Sequence, residues 1–356
     1  MQRLGHHALP ALRLALAALA LAQSFACVAA GSVPGKEWTR ASSPEALGWS
    51  SAKLRVAQDY SKTIDTAAVV LVSRGQVVDE WGSVAQRFNI HSMRKSILSA
   101  LIGMEVNEGR MRLDASLADL GIDDNAPSLT PAEKQATVRD LLMARSGVYH
   151  PALYETPGMA AMRPLRGSRA PGTFWYYNNW DFNALGTVYE KHSGGGVFAR
   201  FQARLAAPLQ MQDFRPQDGE YVTGAASIHP AYPLRMSARD LARFGLLYLR
   251  QGEWDGKQLV PAAWVRESVQ PYSDAGFSGG YGYLWWVAVN GRHLPYTVLP
   301  AGSYSAQGAE GHYVLVIPAY DLVIVHRVNT ELRGLRVTAQ QFGELVRLIL
   351  EARPPA

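Results

Sequence analysis

Cysteine is almost absent from this 356-residue chain, since Cys27 is the only one and lies near the N-terminus. A disulfide framework, a thiolate metal site and a cysteine nucleophile are therefore excluded for the rest of the chain. Residues 14–22 form an apolar run shorter than the roughly 20 residues of a membrane-spanning helix, and no later run reaches that length. Clusters of Lys and Arg are also missing, because 35 basic residues are spread thinly against 30 acidic ones. The pattern does not indicate a nucleic-acid partner.

The composition is that of a folded protein. Apolar residues make up 48% of the chain and charged residues 18%, which is too apolar for a disordered protein. The length exceeds the usual range of about 100 to 200 residues for one domain, so one large domain and two interlocked domains are both possible. No internal repeat or low-complexity tract is visible.

Residues 1–30 have the pattern of a secretory signal peptide. Arg3 and Arg13 are the charged residues of this segment, the apolar run follows, and small residues lead up to Gly31. We therefore expect an exported protein, periplasmic or secreted, without a transmembrane segment. The competing interpretation is a lipoprotein anchored through Cys27, which is disfavoured because Ser24 stands where an aliphatic residue is usual.

Strand patterns occur near both ends of the chain. An apolar run and an alternating run flank Arg74-Gly75 and predict a hairpin. Near the C-terminus, two β-rich runs flank a turn sequence, and a run with helical spacing follows. In order, the predicted strands are 67–72, 76–81, 313–317 and 322–328.

The middle of the chain has helical patterns and loops. Helices are predicted at 138–144, 182–191 and 197–205, and another from Ser237 to Arg250 with Asp240 placed as in a capping box. The sequence thus predicts an α/β fold of the α+β kind, an antiparallel sheet flanked by helices with a helical part inserted. The sheet-containing part is 31–100 with 240–356, and the inserted part is 101–239.

Ser92-Met93-Arg94-Lys95 begins a predicted helix with an apolar face that ends near Gly109. Ser92 and Lys95 are then one turn apart on the same side of the helix, so the lysine amine can lie beside the hydroxyl. The helix N-terminus favours a lowered lysine pKa and stabilises negative charge, which suits a serine nucleophile. The alternative is a serine N-cap followed by a solvated lysine.

The segment from Pro171-Gly172 through Tyr177 and Asn179 to Leu185-Gly186 makes the interpretation specific. It resembles the Pro-Gly-x-x-x-x-Tyr-x-Asn-(x)5-Leu-Gly segment of the β-lactamase-related serine hydrolases, which include class C β-lactamases and penicillin-binding-protein-like esterases and amide hydrolases. The match assigns Tyr177 and Asn179, not Tyr176 and Asn178, to that family's catalytic tyrosine and asparagine.

Further segments extend the resemblance over most of the mature chain. They are Asp140-Leu141-Leu142-Met143, Ser146-Gly147-Val148 and the aromatic run from Tyr281 to Trp286. The resemblance implies the β-lactamase/DD-peptidase fold, with the site between the sheet and the helical part.

The resemblance also implies roles for the four matched residues. Ser92 is then the acylated nucleophile, Lys95 and Tyr177 share the base and acid roles, and Asn179 orients Lys95 and substrate. Whether Lys95 or Tyr177 takes the first proton stays open, since the two titrate as a coupled pair. No cofactor is implied.

The family's Lys-Thr-Gly strand has no full counterpart here. Its closest match is Ala306-Gln307-Gly308-Ala309, followed by Gly311-His312. The resemblance implies an oxyanion hole from the backbone N–H groups of Ser92 and Ala309, and substrate contacts from four residues: Gly308, Gln307, His312 and Trp285. The missing lysine removes a charge-assisted contact to a substrate carboxylate.

Other catalytic patterns are weaker. Gly276-Phe277-Ser278-Gly279-Gly280 matches the Gly-x-Ser-x-Gly form, but no apolar strand precedes it and no helix follows it. No metal-ligand spacing occurs. His91 and His312 are interpreted as structural histidines and not as a triad base.

We therefore predict a serine hydrolase that cleaves an ester, an amide or a short peptide-like small molecule through an acyl-enzyme. The alternatives are a β-lactamase or D-alanyl-D-alanine peptidase, and a catalytically inactive binding protein of the same fold. For Trp285 and Trp286 a purely structural role is the alternative, in which one side chain lies on the core face and the other on the surface face of the same strand.

Overall fold

The computed structural model describes residues 33–354, so the predicted signal peptide lies outside the described residues. The strands are β1 (Thr66–Ser73), β2 (Gln76–Gly82), β3 (Phe88–Asn89), β4 (Val222–Gly224), β5 (Ser227–Ala231), β6 (Arg235–Met236), β7 (Glu253–Trp254), β8 (Lys257–Gln258), β9 (Ser273–Asp274), β10 (Gly280–Tyr281), β11 (Trp286–Val287), β12 (Tyr304–Gly308), β13 (His312–Ile317) and β14 (Leu322–Val328). The α-helices are α1 (Ser51–Ser61), α2 (Met93–Asn107), α3 (Val138–Leu142), α4 (Pro157–Met162), α5 (Asn179–Ser193), α6 (Val197–Phe201), α7 (Ala238–Leu249), α8 (Ala262–Ser268) and α9 (Ala339–Glu351).

Eight strands form one antiparallel sheet in the order β2-β1-β14-β13-β12-β11-β10-β9. Strand β1, from the N-terminal part, pairs with β14 from Thr66 opposite Val328 to Ser73 opposite Leu322. This pairing confirms the prediction that strands from both ends of the chain share a sheet. The other strands form short two-stranded pairs, β3 with β6, β4 with β5, and β7 with β8.

The predicted hairpin turns are observed where the sequence places them. Arg74 and Gly75 join β1 to β2 with φ angles of 51° and 78°. Both residues take the left-handed conformation that the twist of a two-residue hairpin requires, and glycine does so without steric cost. A single 3-10 turn, Pro318–Tyr320, joins β13 to β14.

Alternate residues of β1 face two different cores. Val69 and Leu71 pack in a cluster with side chains of α1 and α9, while Val70 and Val72 pack in a cluster with side chains of α2 and α7. Because both faces of the strand are covered, it is apolar at nearly every position instead of alternating. The sheet therefore has helices on both faces, and α2 lies on the face shared with α7.

The helical part contains α3, α5 and α6 at the positions that the sequence predicts, and a π turn, Gln202–Ala206, extends α6. Helix α5 contacts α2, α3 and α6, and α2 also contacts α6. The residues from 33 to 354 cluster into one compact unit, and the partition near residues 100 and 240 stays a prediction. No helix in this range is long and apolar enough to cross a membrane.

Helix α7 begins with half of the predicted capping box. The Ser237 hydroxyl accepts the N–H of Asp240 at 3.2 Å. The Asp240 carboxylate, however, accepts the backbone N–H groups of Gln212, Asp213 and Phe214. The acid therefore attaches the loop before β4 to α7 instead of returning to the cap.

Candidate active site

The chain turns sharply just before α2. His91 has a φ of 47°, and its backbone N–H donates to the Asn89 side chain at 2.8 Å. A non-glycine residue in this conformation is strained and needs such support from its surroundings. The turn places Ser92 at the N-terminal end of α2, where unpaired helical N–H groups favour negative charge.

Ser92, Lys95 and Tyr177 converge at this end of α2. Lys95 Nζ lies 2.7 Å from Ser92 Oγ and 2.9 Å from the Tyr177 hydroxyl. The amine also lies over the rings of Tyr177 and Phe182, at 4.7 Å from each centroid. The Lys95 amine is thus within hydrogen-bond reach of the candidate nucleophile Ser92 and of the Tyr177 phenol.

Burial shifts the pKa values of both proton carriers. Burial, followed by the positive charge of Arg94, lowers the pKa of Lys95 well below its usual value. Burial raises the pKa of Tyr177 to about 12, although the hydrogen bond from Ser92 opposes the shift. A lowered lysine pKa favours the neutral amine that can accept a proton, while the phenol stays protonated near neutral pH.

Tyr177 is held by the segment that leads into α5. Gly172 N–H and Tyr176 N–H donate to the carbonyls of Arg145 and Ala144 at 2.8 and 3.0 Å. Gly172 has a φ of 77°, which explains the glycine of the Pro-Gly pair. These bonds fix the backbone on the N-terminal side of the phenol.

The next residue, Asn178, caps α5. Its Oδ1 accepts the N–H of Trp180, and its Nδ2 donates to the Val148 carbonyl at 2.7 Å and to the Asp181 carboxylate at 2.8 Å. Asp181 also accepts the Ser146 hydroxyl. The Ser146-Gly147 turn is therefore hydrogen-bonded, through Asp181 and Asn178, to the segment that carries Tyr177.

Asn179 differs from its predicted role in one contact. Its Nδ2 donates to the Tyr154 carbonyl at 3.1 Å, and its Oδ1 is buried without a hydrogen-bond partner. No hydrogen bond between Asn179 and Lys95 is formed in residues 33–354, because the loop before α4 folds back over α5 and takes the amide. The role of Asn179 in orienting Lys95 and substrate stays a prediction.

Strand β12 lies against the segment that precedes the nucleophile. A Cβ on Gly308 would stand 2.6 Å from the Ile90 carbonyl oxygen and 3.2 Å from the His91 Cβ, so only glycine fits there. Gln307 Nε2 donates to Ser305 Oγ at 3.0 Å. Ala309 follows Gly308 in the turn to β13, and its N–H as an oxyanion donor stays a prediction.

His312 is fully buried, and its role as a substrate contact stays a prediction. Its Nδ1 accepts the Nε–H of Arg327 from strand β14 at 2.9 Å. His91 is partly buried and its Nε2 lies 2.8 Å from Thr330 Oγ1. Burial lowers the pKa of His91 to about 4. Both histidines have the structural contacts that the sequence interpretation expects.

Trp285 is also fully buried, and its role as a substrate contact stays a prediction. Its ring packs against Phe244, Tyr248 and Tyr304 in the core beside α7. The neighbouring Trp286 instead is partly exposed and stacks on Tyr177, with ring centroids 5.5 Å apart. The alternation of side chains along a strand predicts that one of these two tryptophans faces the core and the other does not. Because β11 has only two residues, the sequence does not show which one faces the core.

Residues 276–280 do not form a nucleophile elbow. Gly276–Ser278 is a 3-10 turn between β9 and β10, and Phe277 is 98% exposed. In the part of the chain that the structure describes, no group of three or more acidic, His or Cys side chains is arranged to hold a metal ion.

A known protein family matches most of this chain. The family model named Beta-lactamase matches residues 54–343. The chain belongs to the Beta-lactamase family. This membership confirms the resemblance on which the sequence interpretation rests.

Known relatives are distant in sequence and close in fold. An uncharacterized protein of Alkalihalophilus pseudofirmus is 22% identical over 302 residues, covering 74% of this chain and 84% of the relative. A proposed 6-aminohexanoate-dimer hydrolase from Bacillus anthracis has a TM-score of 0.63 at 20% identity, covering 84% of this chain and 83% of that one. A class C β-lactamase with a tyrosine-to-phenylalanine substitution also has a TM-score of 0.63, at 16% identity, with coverages of 85% and 98%. The fold is therefore that of β-lactamases and penicillin-binding proteins, as predicted.

Proposed function

We propose that this protein is a serine hydrolase that cleaves an ester or amide bond through an acyl-enzyme on Ser92. The observation that carries the proposal is the position of Lys95 Nζ, 2.7 Å from the Ser92 hydroxyl and 2.9 Å from the Tyr177 hydroxyl. A serine needs an adjacent base to become a useful nucleophile, and a buried, neutral amine supplies one.

The reaction has two halves. In acylation, Ser92 Oγ attacks the substrate carbonyl while its proton passes to Lys95, directly or through Tyr177. The oxyanion accepts hydrogen bonds from the N–H groups of Ser92 and Ala309, and the leaving alcohol or amine departs with the proton. In deacylation, water attacks the ester carbonyl, gives its proton to the same pair of groups, and releases the carboxylic acid and Ser92.

The absence of a cation on β12 supports a preference for uncharged esters or amides. Ala306 and Gln307 stand where the family's lysine and threonine are expected, and the Gln307 amide is engaged with Ser305. A carboxylate-bearing substrate would lack a charge-assisted contact of about 1.5 to 3 kcal/mol. This argues against efficient β-lactamase or D-alanyl-D-alanine peptidase activity.

An inactive binding protein of the same fold is the contrasting possibility. Such a protein would have no use for a lysine whose pKa is lowered by burial beside a serine hydroxyl. Perturbed groups of this kind are typical of reaction centres.

A substrate panel tests the proposal. Short-chain p-nitrophenyl esters, linear amides such as an aminohexanoate dimer, and a chromogenic cephalosporin are compared, with intact-mass detection of the acyl-enzyme in wild type and Ser92→Ala. Turnover of uncharged esters or amides with an adduct on Ser92 supports the proposal. Efficient cephalosporin hydrolysis with negligible esterase activity contradicts the substrate class, and turnover in Ser92→Ala contradicts the mechanism.

We also propose export through a cleaved signal peptide at residues 1–30, from the charge and apolar pattern of that segment. N-terminal sequencing of the mature protein is expected to begin between Cys27 and Gly31. A cytoplasmic product that still begins at Met1 would contradict this.

A further inference from the structure

The residue before Lys95 is a buried arginine. Arg94 is 2% exposed, and its guanidinium lies between the rings of Tyr154 and Tyr232, at 5.3 and 5.1 Å from their centroids. One nitrogen, Nη1, donates to the His91 carbonyl at 3.0 Å. Nε and Nη2 are buried and have no hydrogen-bond partner. The charge is thus held in place largely by two aromatic faces.

Among the described residues, no carboxylate pairs with the Arg94 guanidinium. None of the ion pairs formed within residues 33–354 includes Arg94. Buried charges in proteins are normally paired, because an unpaired one destabilises the fold. A buried cation that lacks a counter-charge beside a reaction centre therefore calls for a functional explanation.

Arg327 shows how a structural arginine differs. It is also fully buried, but its Nε donates to His312, its Nη1 to the Met236 carbonyl, and its Nη2 to the carbonyls of Phe88 and Asn89. Every nitrogen of that guanidinium joins two parts of the fold. Arg94 makes one such bond, so its position is poorly explained by structure alone.

We propose that Arg94 is a positioning residue for the reaction, a fixed positive charge that keeps Lys95 neutral so that the amine can accept the Ser92 proton. The inference rests on the proposed function and deepens it. The Tyr232 ring on which Arg94 lies carries a hydroxyl that donates to the Phe182 carbonyl, and the Lys95 amine lies over the Phe182 ring. The two cations thus share one buried aromatic cluster, and a like charge nearby disfavours protonation of the amine. The same charge stabilises the negative charge that develops on Ser92 or Tyr177 during proton transfer.

The shifts of the neighbouring groups are consistent with this role. The charge of Arg94 is the second cause of the lowered pKa of Lys95, after burial, and it opposes the burial that raises the pKa of Tyr177. For both residues, the charge of Arg94 lowers the pKa and so favours the deprotonated form that accepts a proton.

Other titratable groups lie against Lys95 and Arg94 from several elements. They are His91 before α2, Tyr154 before α4, Tyr177 before α5 and Tyr232 between β5 and β6. The charges of Tyr177 and Asp181 act on Tyr281, and the charge of Arg327 acts on His91, so Tyr281, Asp181 and Arg327 form the next layer around the two cations. Asp181 is the carboxylate of this set, and burial raises its pKa well above the usual value. It is hydrogen-bonded to Ser146 and Asn178, so it does not neutralise the guanidinium.

A direct contact between Arg94 and a substrate carboxylate is the competing role. The unpaired nitrogens are closed off from solvent in this structure, so a ligand would first have to displace Tyr154. The two roles give different kinetics, because a ligand contact changes KM for anionic substrates alone.

Lysine NMR tests the proposal without a substrate. The chain contains seven lysines, so the Lys95 signal in protein labelled at lysine Cε can be assigned by its loss in Lys95→Ala. In Arg94→Met, the Lys95 titration midpoint is expected to rise by about 1 pH unit or more, since a like charge at close range has been removed. Arg94→Lys restores the charge and is expected to keep the wild-type midpoint. An unchanged midpoint in a folded Arg94→Met protein would overturn the proposal.

Kinetics provide the second readout. With a p-nitrophenyl ester, the rising limb of kcat/KM against pH is expected to move upward by the same amount in Arg94→Met and to stay in place in Arg94→Lys. If activity falls at every pH while the rising limb of the kcat/KM profile stays in place, Arg94 has only a structural role and the proposal is overturned. A change confined to KM for anionic substrates would indicate a substrate contact and would also overturn it. If wild type hydrolyses nothing, the proposed function fails, while the NMR midpoints still decide the role of Arg94. Arg94→Gln, with thermal unfolding measured alongside, replaces the Met variant if that variant does not fold.

Discussion

The two sides of the candidate site differ in what they contribute. The helical wall consists of Ser92, Lys95 and Tyr177, and it places the Lys95 amine within 3 Å of both the Ser92 and the Tyr177 hydroxyl. The strand wall consists of residues 306–309 and has no charged side chain. It contributes backbone groups, two alanines, a glycine and the Gln307 amide, which donates a hydrogen bond to Ser305 of the same strand. Under the proposed function, the helical wall carries the nucleophile and the proton transfer, and the strand wall supplies an oxyanion N–H and substrate contacts. Variants of the two walls test how far these contributions can be separated.

The largest expected effect comes from the helical wall. Ser92→Ala should lower kcat/KM for a p-nitrophenyl ester by about 10³-fold or more, because no other nucleophile stands beside Lys95. Ser278→Ala is the matched control, since Ser278 belongs to an exposed turn with a Gly-x-Ser-x-Gly sequence, and it should keep wild-type activity. Equal losses in the two variants would remove the distinction between the two serines.

The effect of pH on the helical wall has a defined sign. Lys95 must be neutral to accept a proton, and its pKa is lowered, so kcat/KM should rise with pH along a limb that lies below pH 10.5, the usual lysine value. Tyr177 stays protonated up to about 12, so activity should then remain level across the accessible alkaline range. A profile that falls from neutral to alkaline pH would contradict the assignment of Lys95 as base.

Stability should change in the opposite direction from activity at Lys95. Burying an amine that must lose its proton destabilises the fold at neutral pH, because the unfolded state binds more protons than the native state below pH 10.5. Lys95→Met should therefore lower activity by about 10³-fold and raise Tm by about 2 °C. Thermal unfolding at pH 7 and pH 10 checks this, since the Tm gain should shrink at the higher pH. A Met variant less stable than wild type at both values would refute it.

The local sequence pattern accounts for part of the helical wall, while Tyr177 and residues 306–309 were assigned only through the family resemblance. Ser92 and Lys95 follow from the helical repeat, because positions three apart share a face. Gly308 is required by the approach of Ile90 and His91, which are distant in sequence and leave no local pattern. The Asn179 contact to Tyr154 depends in the same way on how a long loop folds back.

The sheet illustrates the same division. Patterns in β1, β2, β13 and β14 revealed the strands, since each is six or more residues long and strongly apolar or alternating. Strands β9 to β11 have two residues each, too few to show a period. The edge of the sheet that borders the site is therefore the part that local sequence describes least.

The strand wall can be altered to test whether it sets substrate preference. Ala306 is 1% exposed and packs in the same cluster as the side chains of α2, so Ala306→Lys introduces an amine into the buried layer between β12 and the nucleophile helix. Thermal unfolding checks that the variant folds. KM for p-nitrophenyl hydrogen succinate should fall by about 10-fold relative to p-nitrophenyl butyrate, the lower end of what one charge-assisted contact supplies. Ala306→Met has a similar length without charge and should leave the ratio unchanged. An identical ratio in both variants would show that this position does not face the substrate.

The smallest expected change in turnover separates two neighbouring tryptophans. Trp285 is fully buried among Phe244, Tyr248 and Tyr304, so Trp285→Ala should lower the free energy of unfolding by about 3 to 5 kcal/mol. Trp286 stacks on Tyr177 and is partly exposed, so Trp286→Ala should raise KM by about 2- to 10-fold, the value of one aromatic contact, with little loss of stability. Urea unfolding and steady-state kinetics on both variants give the comparison. Because the two residues are adjacent, the experiment isolates which face of the sheet edge meets the substrate. A KM effect in Trp285→Ala without loss of stability would reverse the assignment of the two faces.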